Sequence, residues 1–407
     1  MKRIGILGGI ACLGLSLAAS GWSYTAGSSA HLQRAPHITK ILTVTPLGHA
    51  SPESVPLWSP SGRLFGYNVS PTSGHAVIGL APSFKTYPVN LGPGRHLVDL
   101  TAREAVVAST SDRRDWLYPL HHGHLGKPTV WKAATDTWQE WVNTQAGPAI
   151  VTGGYQPKTV ALTESTGIHI PLSPSQVFVS PDGEYGAAVG GQRLRRNVDG
   201  GQALSPSLYQ PSPVTGPIIL WAFDAATPHV IATIHLPKVH LTKAARGAYV
   251  GYIAFSLNNR YLAVSVAGNS PIGDRLIGKT FIYRVRTGTL VGVAPYGNGM
   301  MWAIDSRYLW LGTPLPQGQG TDKLVNVRGK SVWSWSTDDS PSIGTGLSGK
   351  SLIVLKDHRL GVWNKQSGFH ALSKRRMTAP VAQFPAPSAS AILMNDNGEM
   401  IGCALKH

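Results

Sequence analysis

Three histidines form the densest set of metal-ligand candidates in this sequence. His121, His122 and His124 stand close together, and imidazole nitrogens at such spacing could bind a transition metal. No cysteine or carboxylate accompanies them at ligand spacing, and adjacent residues on a strand point to opposite faces. A solvated loop is therefore the alternative, and we predict no bound metal. The three histidines remain candidates for contact with a ligand or partner.

Three arginines form a second candidate site, in a segment rich in Gly, Pro, Ser and Arg at about 190–217. Arg193, Arg195 and Arg196 could together recognise an anionic ligand, because guanidinium groups bind carboxylates and phosphates through paired hydrogen bonds. The alternative is a solvated loop whose arginines contact only water.

The sequence contains no recognised motif of an enzyme active site. Residues 344–349 match G-x-G-x-x-G, but a strand at 351–355 follows in place of the helix whose N-terminus would meet a phosphate. The acidic stretches at 338–339 and 395–399 are too short for a calcium loop and have the composition of hairpin turns. G-x-S-x-G and H-E-x-x-H motifs are missing, and residues 344–351 match the letters of a P-loop, G-x-x-x-x-G-K-S, but lack the helix that must follow it. The sequence therefore predicts neither a cofactor nor catalytic residues of a recognised type.

The elements that must position these side chains are repeated along the chain. VSPDGEYGAAV (179–189), WSPSGRLFGY (58–67) and FSLNNRYLAV (255–264) each place a tight turn between two apolar strands. Related turns fall near residues 60, 102, 181, 258, 306, 349 and 397. Four of the six steps are 42–48 residues, and the two longer steps contain a weaker copy near 155 and the predicted insertion at about 190–217. This spacing is typical of a propeller blade of four strands.

A second hairpin follows several of these turns. It appears as ILWAFDAATPHVIA (219–232), FIYRVRTGTLV (281–291) and GVWNKQSG (361–368). β-Branched and aromatic residues on either side of a polar turn are typical of a hairpin. We interpret this hairpin as the outer half of a blade whose inner half is the first hairpin.

The first hairpin resembles the SPDG strand-turn-strand of WD-repeat-like and TolB-type β-propellers, and FIYRVRTGTLVG resembles the hairpin that follows it in those families. The resemblance covers roughly residues 50–405, without the Gly-His and Trp-Asp signatures of true WD repeats. It implies an all-β fold, a β-propeller of four-stranded antiparallel blades. From the repeats in this sequence we predict seven blades, with eight as the alternative. A fold of this kind does not by itself imply a function.

A propeller needs a closed ring, since an open array would leave sheet edges exposed. HITKILTV (37–44) is an apolar segment before the first repeat, and we predict that it pairs into the last blade. Residues 31–407 would then form a single propeller domain with an insertion at about 190–217. We predict that the tryptophans at strand positions belong to the blade core rather than to a sugar-binding platform: Trp221, Trp302, Trp310 and Trp363.

The N-terminal segment has the features of an export signal. Lys2 and Arg3 precede an apolar run that extends to Ala19, which is the pattern of a signal peptide. No clean A-x-A cleavage site follows, so residues 1–30 are either a signal peptide or a retained membrane anchor. Cys12 lies in this segment and leaves Cys403 as the single cysteine of a mature form, without an intramolecular disulfide. We predict an extracytoplasmic monomer, secreted or tethered to the outer face of the membrane.

The chain is strongly basic. It has 36 Lys and Arg against 20 Asp and Glu, a net charge of +16 at pH 7 with histidine neutral. Such a balance suits an anionic polymer or a membrane surface as partner, although the sequence has no specific nucleic-acid motif and offers membrane contact only through an uncleaved N-terminal segment. Life in acid is the other explanation, because carboxylates that protonate lose their native-state partners. We prefer the acid explanation at this point.

Two classes of function fit these observations. The first is an exported binding or scaffold protein that recognises a protein or polymer partner in the cell envelope. The second is a propeller enzyme, such as a lyase, a glycosidase or a quinoprotein-like oxidoreductase, in which polar residues from several blades meet in the central funnel. A repeat architecture without a catalytic motif favours the binding protein.

Overall fold

The described part of the chain consists almost entirely of β-strands. The computed structural model describes residues 40–52, 54–70, 72–109, 114–121, 123–132, 137–144, 147–154, 160–162, 177–189, 217–223, 229–237, 246–269, 276–297, 300–312, 321–336, 346–348, 351–364, 366–377 and 381–406. These residues form β-strands and one short 3₁₀ helix, Val285–Thr287. Residues 1–30 and the predicted insertion lie outside them, so the predictions about both stay predictions.

The strands are short and follow one another closely. The strands before residue 240 are β1 (Lys40–His49), β2 (Leu57–Trp58), β3 (Leu64–Asn68), β4 (His75–Leu80), β5 (Lys85–Asn90), β6 (Arg95–Leu100), β7 (Glu104–Ser109), β8 (Arg114–His121), β9 (His124–Leu125), β10 (Thr129–Lys132), β11 (Thr137–Thr144), β12 (Gly147–Gly154), β13 (Val160–Leu162), β14 (Val177–Val179), β15 (Tyr185–Val189), β16 (Ile218–Ala222) and β17 (His229–Ile234). The strands after it are β18 (Arg246–Phe255), β19 (Tyr261–Asn269), β20 (Leu276–Arg284), β21 (Thr289–Pro295), β22 (Met300–Trp302), β23 (Tyr308–Leu311), β24 (Thr321–Asn326), β25 (Ser331–Ser336), β26 (Gly346–Ser348), β27 (Ser351–Lys356), β28 (Arg359–Asn364), β29 (Gly368–Arg376), β30 (Val381–Pro385), β31 (Ala391–Asp396) and β32 (Glu399–Lys406).

These strands form antiparallel sheets of neighbouring strands. Six sheets in the described chain have four strands: β2-β3-β4-β5, β14-β15-β16-β17, β18-β19-β20-β21, β22-β23-β24-β25, β26-β27-β28-β29 and β1-β32-β31-β30. The sheet β6-β7-β8-β10 carries β9 as a fifth strand, and β11-β12-β13 has three strands. The innermost strands of successive sheets contact one another: β2 contacts β6, β6 contacts β11, β11 contacts β14, and β14 contacts β18. Sheets arranged in this order are the blades of a β-propeller.

The fold predicted from the repeats is confirmed as an all-β propeller of antiparallel blades. Seven of the described sheets have four strands or more, which is the predicted number of full blades. The alternative of eight includes the three-stranded sheet β11-β12-β13, which occupies the place of the weak repeat near residue 155.

The N-terminal strand closes the ring, as predicted. β1 pairs antiparallel with β32 and places Val44 opposite Cys403, so the two ends of the chain together complete one blade. Asn395 on β31 holds the chain that leaves β1, because its Nδ2 donates to the backbone oxygens of Ser51 and Ser54 at 3.0 and 2.8 Å. In the blade β1-β32-β31-β30, the outer strand β1 is therefore held by its pairing with β32 and by the bonds from Asn395 to the residues that follow it.

The last blade differs from the sequence prediction in one respect. The repeat near Asn397 was predicted to be its first turn, but that turn joins the second and third strands, β31 and β32. The first turn is 386–390, APSAS, where the N–H of Ala389 donates to the oxygen of Ala386 at 2.8 Å. APSAS has alanine at its first and fourth residues, where the turns 59–63, 180–184 and 256–260 have Ser and then Gly or Asn, so the repeated pattern is not evident there.

Apolar side chains pack between neighbouring blades as well as within them. Leu220 of β16 and Leu262 of β19 share a buried cluster, and Leu47, Trp58 and Leu393 join the last blade to the first. Each blade therefore has apolar faces that only its neighbours can cover, which makes the closed ring the stable unit.

The tryptophans at strand positions take part in this packing within and between blades, as predicted. Trp221, Trp302 and Trp310 are buried. Trp363 packs with Trp333 at a ring-centroid distance of 4.5 Å, across two neighbouring blades. These residues are therefore part of the packing between strands.

Candidate functional site

The turn between the first two strands of a blade has a shared hydrogen-bonded geometry. Its residues are numbered 1 to 5 from the residue that follows the inner strand. The N–H of residue 4 donates to the oxygen of residue 1 at 2.7–2.9 Å in the turns 59–63, 180–184, 256–260, 303–307 and 386–390. Because the blades repeat one strand order, these turns lie on one face of the ring, which we name the turn face. The turn between the third and fourth strands reaches the same face, since antiparallel strands alternate in direction.

Side chains at positions 1 and 3 complete the turn. A serine hydroxyl at position 1 accepts from the N–H of the first residue of the next strand at 2.9–3.0 Å in three blades. An Asp, Asn or Ser at position 3 accepts from the N–H of residue 5 at 2.9–3.3 Å. These bonds explain why the repeated sequence contains Ser and Asp, since short polar side chains hydrogen-bond nearby backbone groups.

Position 4 has a left-handed backbone. Its φ angle is 55–67° in the five turns, a conformation that glycine adopts without strain and that Asn tolerates better than most other residues. Gly62 and Gly183 meet this demand directly, whereas Asn259, Ser306 and Ala389 adopt the same angle with a side chain. Position 5 does not have this left-handed backbone, so the turn places no demand of this kind on the type of side chain there.

Turns of neighbouring blades touch one another around the ring. The N–H of Asn258 donates to Ser306 Oγ of the next blade at 3.1 Å. Gly62 packs so closely on Ser388 that a Cβ at residue 62 would overlap the serine side chain. The first turns of these neighbouring blades are therefore in direct contact.

Position 5 is occupied by exposed arginine in three of these turns, at Arg63, Arg260 and Arg307. The β6–β7 blade has a shorter turn in which Arg103, also exposed, takes the same place. Three of the four carbonyls accept from residues at the end of the third strand, as in Ala81 N to Arg63 O at 2.8 Å. Comparable bonds to Arg103 and Arg260 measure 2.6 and 3.0 Å. The repeat thus fixes the backbone of each arginine while the side chain faces solvent.

The last blade has Ser390 at position 5, and the turn 180–184 has Glu184, which is buried. Its Oε1 accepts from the Tyr185 hydroxyl at 2.7 Å and lies 3.9 Å from the guanidinium of Arg286, which comes from the neighbouring blade. Arg286 Nε also donates to the Tyr185 hydroxyl at 3.2 Å. Burial and the bond to Glu184 raise the pKa of Tyr185 to about 12, so the phenol keeps its proton. The carboxylate of Glu184 is therefore buried, and the charged group exposed to solvent at this place is the guanidinium of Arg286.

A second buried carboxyl lies in the same turn. Asp182 accepts from Ser180 Oγ at 3.0 Å and from the N–H of Glu184 at 2.9 Å. Burial raises the pKa of Asp182 to about 6, although these bonds and the nearby Asn259 amide lower it in part. The polar atoms of the Asn259 side chain are buried and reach no hydrogen bond of regular geometry. Asp182 and Asn259 thus form a polar contact between two blades beneath the turn face.

The surface charge of the described chain is almost entirely positive. Of its ten Asp and Glu side chains with a described environment, only Asp357 is exposed. Fifteen of the seventeen corresponding Lys and Arg side chains are exposed. Asp357 lies in the turn between β27 and β28, on the face opposite the turn face. The exposed charges of the turn face in the described chain are therefore cationic.

The structure describes two of the six side chains that the sequence singled out. His121 ends β8, His124 begins β9, and the two are paired across this short hairpin with exposed side chains. The His124 ring lies 5.2 Å from the ring of Tyr87. His122 and the arginines Arg193, Arg195 and Arg196 lie outside the described residues. Contact of all six with a ligand or partner stays a prediction.

Two kinds of feature are not found among the described residues. No group of three or more His, Cys, Asp or Glu side chains within that part of the chain is arranged to hold a metal ion. Within the same ranges, which begin at residue 40, no helix has the length and apolar character needed to cross a membrane.

Comparison with known proteins supports the fold. The propeller of Dos1 matches with 9% identity over 90% of this chain and 95% of that chain, with a TM-score of 0.53. The chain has a WD-repeat-like β-propeller fold. The WD40 domain of coronin from Toxoplasma gondii matches with 11% identity over 92% of this chain and 89% of that chain, with a TM-score of 0.40. The dihydro-heme d1 dehydrogenase NirN matches with 14% identity over 80% of this chain and 66% of that chain, with a TM-score of 0.45.

These structural matches extend no further than the fold, because their sequence identities are low. No family model matches the sequence, and no curated protein matches it either. The propeller therefore has to be understood from its own residues.

Sequence reasoning did not identify the arginines of the turn face. It treated the turns as structural and searched for clusters that are contiguous in the chain, whereas Arg63, Arg103, Arg260 and Arg307 come together only in the ring. Aligning the repeats by turn position would have revealed the signal, because the arginine recurs just before the second strand of the blade.

Proposed function

We propose that this protein is an exported binding or scaffold protein whose turn face recognises a partner in the cell envelope. The observation that carries the proposal is the charge of this face: none of its described carboxylates is fully exposed, and its arginines are exposed at equivalent places in several blades. A surface with one sign of charge attracts partners of the opposite sign and accelerates their association. The export signal predicted for residues 1–30 supports the location.

Binding to isolated envelopes tests the proposal. Purified protein labelled at a single engineered site would be titrated against washed cell envelopes of the producing organism, with unlabelled protein as competitor. We expect saturable binding that unlabelled protein displaces and that added salt weakens. Binding that is absent, or that never saturates, would contradict a specific envelope role.

Cell fractionation tests the location separately. We expect the mature protein in the envelope or the external fraction, accessible to protease added to intact cells. A protein that remains protected from protease until the cells are lysed would contradict export.

A further inference from the structure

We propose that the turn face binds a linear anionic polymer, with arginines on different blades contacting successive negative charges of one chain. This inference rests on the proposed function and names the chemical class of its partner.

The repeat supplies cations in two pairs of neighbouring blades, the first two of the chain and the blades β18–β21 and β22–β25. Arg260 and Arg307 flank the contact between Asn258 and Ser306, whose N–H to Oγ distance is 3.1 Å, so the two arginines belong to adjoining turns. Arg63 and Arg103 occupy the corresponding places in the first two blades of the chain. A partner whose charge also repeats can meet several of these groups at once, and linked contacts bind far more tightly than separate ones.

Arginine is suited to this role, and the face protects its charge. A guanidinium group offers planar, paired donors to a carboxylate, sulfate or phosphate and stays charged at all relevant pH values. Few carboxyls near these arginines face solvent: Asp182 and Asp305 are buried at position 3 of their turns, Glu184 is buried beside Arg286, and Glu104, next to Arg103, is only partly exposed. An approaching polyanion would therefore meet little repulsion.

The turn between the third and fourth strands enlarges the cationic surface. Arg286 lies in this turn of the β18–β21 blade with a side-chain exposure of 77%. Arg328 and Lys330 lie in the same turn of the β22–β25 blade and are both exposed. The cations thus form an inner and an outer row on one side of the ring, which is a path for a chain rather than a pocket for a single small anion.

The test uses two defined polymers and a pair of matched triple variants. Arg63→Ser, Arg103→Ser and Arg307→Ser are combined in the first variant, because Ser390 shows that serine is accepted at position 5. Lys356→Ser, Arg359→Ser and Arg376→Ser are combined in the control, which removes the same charge from exposed residues on the opposite face. Both variants should unfold at the wild-type temperature within a few degrees, which confirms that they are folded.

Affinity for fluorescein-labelled polygalacturonate and dextran sulfate would be measured over a salt series, with neutral dextran as the blank. For the wild-type protein we expect log K to fall linearly with log salt concentration, as it does when counterions are released from a polyanion. The turn-face variant should bind both polymers at least tenfold more weakly at low salt, with a slope shallower by about two to three. The control should stay within about threefold of wild type.

Several outcomes would overturn the inference. Equal weakening by both variants would show a general effect of net charge, and unchanged binding by the turn-face variant would place the site elsewhere. Saturable binding to envelopes without affinity for either polymer, abolished when the envelopes are treated with protease, would indicate an acidic protein partner. In that case the proposed function would stand and this inference would fail, whereas loss of envelope binding altogether would remove both.

Discussion

Asp182 combines a structural role with an influence on stability that depends on pH. Its carboxyl completes the turn through Ser180 and the N–H of Glu184, yet burial raises its pKa from 3.8 to about 6. The folded protein therefore holds this proton more tightly than the unfolded chain does. The stability from this residue is fully present below about pH 4 and is lost as the pH rises through 6, by about 3 kcal/mol in total.

We expect Asp182→Asn to flatten this part of the pH profile, because asparagine keeps the acceptor oxygen and carries no proton to lose. Urea unfolding at pH 4, 6 and 8 would give the free energy of unfolding of both proteins. The wild-type value should fall relative to the variant by up to about 3 kcal/mol between pH 4 and pH 8. If the free energies of unfolding of the two proteins changed with pH in parallel, the raised pKa of Asp182 would be contradicted.

This behaviour bears on the two explanations for the basic composition. Asp182 loses nothing when it protonates, which agrees with a protein that functions in acid. Exposed arginines on several blades agree with binding of an anionic polymer. Both features are present in the structure, and they lie in different parts of the turn, one at position 3 and the other at position 5.

At the scale of the element, the turn of the inner hairpin depends on a buried hydroxyl. Ser59 Oγ accepts from the N–H of Leu64 at 2.9 Å, and Ser59 is completely buried. Ala303 occupies the same position in another blade and has no hydroxyl to offer. The turn therefore forms without this bond but gains stability from it.

Two opposite substitutions would measure this gain. We expect Ser59→Ala to reduce the free energy of unfolding by about 1–2 kcal/mol, because the buried N–H of Leu64 loses one of its acceptors. Ala303→Ser should increase it by about 0.5–1 kcal/mol. Urea midpoints with unchanged slopes would provide both values. A loss of stability in both variants would show that packing around the turn, rather than the hydrogen bond, decides the outcome.

At the scale of the whole molecule, stability depends on joining the two ends of the chain. β1 is remote in sequence from β32 but is its partner strand, and Val44 lies directly opposite Cys403. Both side chains pack in one core cluster. Opposite residues of antiparallel strands are close enough for a disulfide.

We expect Val44→Cys to form a disulfide with Cys403 in a Cys12→Ser background. The bond would close a loop that spans nearly the whole propeller, and a loop of that length should add up to about 6 kcal/mol in the chain-entropy model. A gel shift on reduction, with thermal unfolding in the presence and absence of reductant, would measure it. Val44→Ser with the same treatment is the control. Failure of the two thiols to pair under oxidant would contradict the closure of the ring by β1.

The sequence by itself determined the class of fold, the positions of most turns and the closing role of the N-terminal strand. These features are local: Ser at position 1, Asp or Asn at position 3 and Gly or Asn at position 4 each satisfy a backbone demand within five residues. They could therefore be predicted without knowledge of the rest of the chain. The first turn of the last blade escaped prediction because APSAS meets the same demands with Ala389 at the left-handed position.

Only the tertiary structure decided which side chains face a partner. Arg63 and Arg307 are far apart in the chain and become members of one cationic face because the ring places equivalent turns together. The cation beside Glu184, Arg286 at 3.9 Å, likewise comes from another blade. Hydrogen bonds within a turn are fixed by neighbours in sequence, whereas a charged surface is the sum of groups that only the closed ring brings together.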